Sequence, residues 1–207
     1  MTNPTSFFIC FDYYSRFGNG PHRVQIQLAF NPDGPDLQGT GDSFVIELAP
    51  IDEMPHSVHW FLEQVDAGLY DGCSFQPSAG HVVMGGAIGN FLSEPDFRPR
   101  GRFVESGFPN VLFQEASYFP HLKYSMALAG QPHGGPDFFV SMQDNTLNHA
   151  EPCFAKVIDG FETVDRMNQS PEMGADAAHG SDMVAIVSMR IIPSEEAVDD
   201  MMISSGL

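Results

Sequence analysis

Between Lys123 and Met142 the chain reads KYSMALAGQPHGGPDFFVSM, a stretch that few folds accommodate. Alternating small and apolar residues from Ser125 to Ala129 predict a strand packed closely against another layer. Gly130 breaks it, and Gln131 to Pro136 is too rich in Gly and Pro to be anything but a loop. Asp137-Phe138-Phe139-Val140-Ser141 predicts a second strand whose adjacent aromatics take opposite faces of a sheet. Small residues beside one large ring build a shallow apolar pocket, so β-structure and a pocket are expected together.

Further strands follow from the same period. His22 to Phe30 alternates Val24, Ile26, Leu28 and Phe30 against polar neighbours, the pattern of a half-buried strand. Ser43 to Leu48 is a second strand, expected to pair antiparallel with the first. Then the period changes. Val58, Phe61, Leu62 and Val65 recur at helical spacing, with Asp52 and Glu53 at the entrance, Pro55 at the first turn and Gly68 at the stop. Short strands are expected around Ser74-Phe75 and from His81 to Met84, ending at Gly85-Gly86. Ala87 to Phe108 reads as irregular, Asn110 to Gln114 as a strand, and Cys153 to Ile158 as another. Phe161, Val164 and Met167 mark a short helix, and Met183 to Ile192 a final apolar strand. Strands this many with little βαβ alternation favour a mostly antiparallel barrel or sandwich with helices closing its ends.

The 207 residues read as one domain, large enough for a substantial core, with an extended arm at 1–21, a body at 22–193 and an acidic tail at 194–207. Nine Lys+Arg against 27 Asp+Glu leave a net charge of −18, which repels phosphate backbones and anionic membranes. A nucleic-acid partner is therefore not expected. No apolar run reaches the roughly 20 residues that span a bilayer, and the start shows no signal-peptide pattern; a soluble chain is expected. Cys10, Cys73 and Cys153 lie far apart with no CxxC spacing, which suits buried thiols better than disulfides or zinc. His56 and His59 on the predicted helix, and His121, His133, His149 and His179 in loops, form no metal-binding motif. Nor is there a GxSxG elbow, a P-loop or a dinucleotide fingerprint. No metal or cofactor is expected.

Two segments together carry a resemblance. One is Phe44 to Gly86, FVIELAPIDEMPHSVHWFLEQVDAGLYDGCSFQPSAGHVVMGG; the other is Tyr124 to Met167, with SMALAG, GGPDFFV and CFAKVIDGFETVDRM. In order and spacing both resemble the cyclophilin-type peptidyl-prolyl isomerases, over most of residues 22 to 193. The resemblance implies a mainly β fold, a closed eight-stranded antiparallel barrel capped by two α-helices. It also implies rotation about an X-Pro bond, whose barrier is about 18–20 kcal/mol. No nucleophile, metal or cofactor takes part. An apolar pocket grips the proline ring, and an arginine hydrogen-bonds near the imide, favouring the twisted transition state.

By the same resemblance Phe139 forms the pocket floor, with Phe75, Val82, Ala127 and Leu147 around it. The polar rim departs from the family. Phe-His-Arg becomes Phe75-Gln76-Pro77, so a proline with no N–H stands in the place of the catalytic arginine. The glutamine before the paired glycines becomes Met84, and the asparagine between two alanines becomes Leu128. The tryptophan and histidine of the later loop fall at Thr146 and Glu151. Three readings follow: a domain that binds proline-containing or extended peptide segments with isomerase activity weak or lost; an active isomerase using Arg98, Arg100 or Arg102 as substitute donor; or a structural barrel whose groove Met84 and Leu128 have filled.

Overall fold

The computed structural model describes residues 16–18, 20–30, 42–78, 80–89, 99–107, 111, 115–130, 134–144, 150–168 and 184–192. Eight strands close into one antiparallel barrel. In chain order they are β1 (Arg23–Ala29), β2 (Ser43–Leu48), β3 (Cys73–Ser78), β4 (Val82–Gly89), β5 (Ser125–Leu128), β6 (Phe138–Ser141), β7 (Cys153–Asp159) and β8 (Val184–Ile192). Around the barrel the order is β1-β2-β7-β5-β6-β4-β3-β8, with β8 returning to β1. The expected hairpin forms, with Val24 opposite Ile46 and Ile26 opposite Phe44. Closure removes the unpaired edges that an open sheet of this size would expose.

The expected helix is α1 (Pro55–Asp66), and Val58, Phe61, Leu62 and Val65 are all buried against the barrel. Its first turn carries no acid of its own and no side-chain cap. The distant Glu115 does that work instead: its carboxylate accepts from the His56 and Ser57 backbone N–H groups and lies 2.7 Å from Ser57 Oγ. Negative charge at a helix N-terminus is thus supplied by tertiary structure. The predicted short helix is α3 (Phe161–Met167), entered through Gly160 at φ +74. A Cβ there would stand 2.4 Å from the Ser43 carbonyl oxygen, so only glycine fits.

A third helix, α2 (Pro99–Glu105), occupies part of the stretch read as irregular. Its large apolar residues, Phe103 and Val104, are adjacent, so no helical period shows. Its hold is tertiary, with Phe103 fully buried and its ring 5.1 Å from that of Tyr70. Of the strand expected at 110–114, only Val111 lies within the described residues, as an isolated bridge to Gly134. Residues 1–15 of the expected arm and the tail from 194 lie outside them. The end of the arm, Arg16-Phe17, makes a helical turn on α1: Arg16 pairs with Glu63 and, at 2.6 Å, with Asp66. Among the described residues no helix is long and apolar enough to cross a membrane.

Inside the barrel, Phe138 is ringed by Phe61, Tyr70 and Phe75 at centroid distances of 5.7, 5.4 and 5.5 Å, all edge-on. The Tyr70 hydroxyl lies 2.6 Å from Gln64 Oε1 and 2.9 Å from the Pro136 carbonyl, and burial pushes its pKa well above the usual range. Expected to end at Gly85-Gly86, β4 in fact continues through both glycines. The reason is Phe75, which stands opposite Gly85: a Cβ on Gly85 would lie 2.5 Å from the Phe75 ring and 2.9 Å from that of Phe138. The glycine here makes room for a ring rather than a turn.

Candidate binding face on the outside of the barrel

Strand alternation sends Phe138 into the barrel and Phe139 out of it. Outside, the registers align one residue from each of five neighbouring strands. Cys153 of β7 faces Ala127 of β5, Ala127 faces Phe139 of β6, Phe139 faces Met84 of β4, and Met84 faces Gln76 of β3. At about 4.8 Å between strands this row is roughly 19 Å long. Val82, Ala127, Phe139 and Cys153 form a buried apolar cluster separate from the barrel core, with Met84, Phe119 and Ala129 packed against it. Phe119 arrives from the segment before β5, which is tied down because the Tyr118 and Phe119 N–H groups both reach the Cys153 carbonyl at 3.2 Å.

The structure thus brings Val82, Met84, Ala127 and Phe139 together as the pocket reading requires. It places the other two described pocket candidates elsewhere. Phe75 and Leu128 belong to the barrel core. Phe75 points inward opposite Gly85, and Leu128, between two outward alanines, pairs with the inward Phe138. Leu128 therefore does not fill the outer groove; of the two residues suspected of doing so, only Met84 lies on it. Leu147 and Thr146 lie outside the described residues, and Glu151 sits two residues before Cys153, ahead of β7.

The arginines separate in the same way. Arg98 lies outside the described residues. Arg102 donates to the Leu69 and Asp71 carbonyls, both at 2.7 Å, and so ties α2 to the turn after α1. Its guanidinium is occupied by architecture. Arg100 is 60% exposed and pairs with Asp137, whose other carboxylate oxygen accepts the Ala87 N–H at 2.8 Å. Asp137 is two residues before Phe139, so Arg100 is held beside the middle of the outer row, two residues along the chain from Phe139. At the predicted arginine position, Pro77 is opposite Val83 in the β3–β4 ladder. Among the described residues β8 pairs with β3 only through Ser74 and Phe75, so a missing N–H is tolerated at Pro77.

Three residues of this face carried no sequence signal of their own. Cys153 lies 3.3 Å by its Sγ from His121 Nδ1, and its N–H donates to Ser117 Oγ at 2.7 Å. Burial pushes its thiol pKa up, beyond what the Ser125 and Ser117 hydroxyls return, so it serves as a small protonated apolar group. Phe119 is separated from the pocket residues by loop. Gln76 was visible only as a replaced residue beside Pro77, although alternation from the inward Phe75 already turns it outward. Among the described residues no three metal-ligating side chains converge.

Residues 36–191 match the family model of the cyclophilin type peptidyl-prolyl cis-trans isomerases. The chain belongs to this family. Its fold agrees with solved cyclophilins. A cyclophilin-type isomerase of Cryptosporidium parvum is 21% identical, with 84% of this chain and 98% of that one covered at a TM-score of 0.57. A structure of the same isomerase in the presence of the dipeptide Ala-Pro is 22% identical, with 83% and 99% covered at a TM-score of 0.56. A search of curated proteins finds no match.

Proposed function

We propose that this cyclophilin-type domain holds an extended, proline-containing peptide segment on the outer face around Phe139, with isomerase activity weak or lost. One contrast carries the reading: the apolar row is assembled, while by the family resemblance Pro77 stands in the place of the arginine, and Arg102 is committed to two backbone carbonyls. Removing one preorganised donor from a catalytic site typically costs about 2.7–4 kcal/mol, or 10²- to 10³-fold in rate. Apolar contact with a proline ring survives that loss, because it needs area and shape rather than charge. The dipeptide Ala-Pro present with the Cryptosporidium isomerase supports the same ligand class.

Exchange spectroscopy on an Ala-Pro peptide, with the protein in catalytic amount, tests the activity. Exchange at the rate of an ordinary cyclophilin would refute a weakened site. Peptide titration followed at Met84 and Phe139 tests binding, and unmoved signals would refute it.

Two observations favour other readings. Arg100 is accessible, oriented by Asp137 and close to the outer row, which suits an isomerase with a substitute donor; Arg100→Ala then abolishes exchange. Phe139 is only 2% exposed, with Met84 packed on its cluster, which suits a covered structural barrel; neither exchange nor binding is then observed.

A further inference from the structure

Gln76 closes the outer row at its β3 end, opposite Met84, and its Oε1 is buried without a hydrogen-bond partner among the described residues. Folded proteins pair almost all such atoms, and an orphan is costly because its water has been removed and nothing returned. The neighbours cannot repair it. Met84 offers only a thioether, a weak acceptor, and Pro77 has no N–H. Turning the amide over would bury an N–H₂ in its place. The carboxamide combines an acceptor with two donors, the complement of a peptide main chain.

We propose that Gln76 is the polar anchor of this face: its Oε1 accepts a main-chain N–H of the bound segment, and its Nε2 donates to a neighbouring carbonyl. This rests on the peptide-binding reading and names what holds the segment's main chain there. Gln76 and Phe139 lie two strands apart in one row, about 10 Å, which an extended chain covers in roughly three residues. Proline itself has no N–H, so the anchored amide belongs to a residue some way along from the ring. The oxygen is closed to solvent in the free protein, so the segment's N–H reaches it as the side chain turns outward, and the hydrogen bond then formed relieves the cost of the orphan.

The test uses the full chain, Gln76→Leu, and the peptide Ala-Ala-Ala-Pro-Ala-Ala-Ala, with a copy N-methylated at every amide except that of the proline. The substitution keeps bulk and removes the orphan atom, so the urea midpoint should stay or rise while the Kd from NMR titration rises about fivefold to tenfold, the worth of one neutral hydrogen bond. The wild type should show a loss of at least that size for the N-methylated copy, and Gln76→Leu a smaller one. Opposite signs for stability and binding are what a merely structural glutamine would not give. Equal affinity of wild type and Gln76→Leu, a falling midpoint, or equal discrimination between the two peptides by both proteins overturns the anchor alone. A wild type that binds neither peptide overturns the peptide-binding reading, and the anchor with it. Should Gln76→Leu not fold, the N-methylated copy binding the wild type as tightly as the parent peptide overturns the anchor.

Discussion

Phe138 and Phe139 are chain neighbours with almost the same exposure, 0% and 2%, yet they belong to two different kinds of surroundings. Phe138 is locked by edge-on contacts to three aromatic rings, and by Gly85, whose missing Cβ its ring needs. Phe139 sits in a cluster of four buried residues with three partly buried ones around it, in a row ending at an amide oxygen that has no partner among the described residues. Burial alone does not separate the core from the proposed binding face. Completeness of packing and of polar pairing does.

The sharpest way to break this contrast is to truncate both rings. Phe138→Ala opens a cavity in a rigid aromatic cage and should cost about 3–5 kcal/mol in urea denaturation. Phe139→Ala can be partly filled by Met84 and Phe119, and should cost about 3 kcal/mol or less while abolishing peptide-induced shifts. Equal costs would mean that the outer cluster is as much core as the inner one.

The two described candidate arginines, Arg100 and Arg102, make a second contrast, of architecture against surface. Arg102→Met deprives the Leu69 and Asp71 carbonyls of a charged donor, and should lower stability by about 2–3 kcal/mol without changing peptide binding. Altered binding with stability unchanged would place Arg102 in the site after all. The same region holds Cys73, whose thiol burial pushes up to about 11. In the folded protein it should resist alkylation at pH 8, a check that mass spectrometry makes directly.

Much of this inner architecture was legible in the sequence, because it is written in local periods. Val24, Ile26 and Leu28 announce a strand, and Val58, Phe61, Leu62 and Val65 a helix, before any contact is known. What escaped depends on distant partners. Gly85-Gly86 reads as a strand end until Phe75 is seen to need the space. α2 shows no apolar period, its Phe103 and Val104 being adjacent, and is held by Phe103 and Arg102. Leu128 read as a lost rim residue, although its alanine neighbours, by alternation, already turn it inward. The outer row was illegible for a deeper reason: it is a register across five strands, and no local pattern encodes which residue of β7 stands beside which of β3.

Acid titrates the closed side where the arm meets α1. His22 Nε2 lies 3.0 Å from the Phe17 carbonyl, while Nδ1 is buried without a partner among the described residues. Burial lowers its pKa below 6.5, against a smaller upward pull from the Phe17 hydrogen bond. The unfolded chain therefore takes up the proton first as pH falls below about 6.5, and stability falls with it until the folded pKa is passed. Urea midpoints at pH 7.5 and 5.5 should differ more in the wild type than in His22→Gln; equal differences would mean that the arm is not packed tightly enough to exclude the charge.

The smallest effect on stability is expected at Arg100, and it decides most about function. The guanidinium is largely in solvent, and exposed ion pairs contribute about 0–1 kcal/mol. Asp137 keeps its hydrogen bond from the Ala87 N–H whether or not Arg100 is present, so Arg100→Ala should leave the fold and the urea midpoint nearly unchanged. Binding should also hold, since the apolar row and Gln76 remain. If residual Ala-Pro exchange is equally unaffected, Arg100 is a surface cation neutralising one acid in a chain with many, and the outer face is a binding surface without a catalytic donor. A tenfold or greater loss of exchange, with midpoint and Kd unmoved, would instead make the exposed arginine the missing donor.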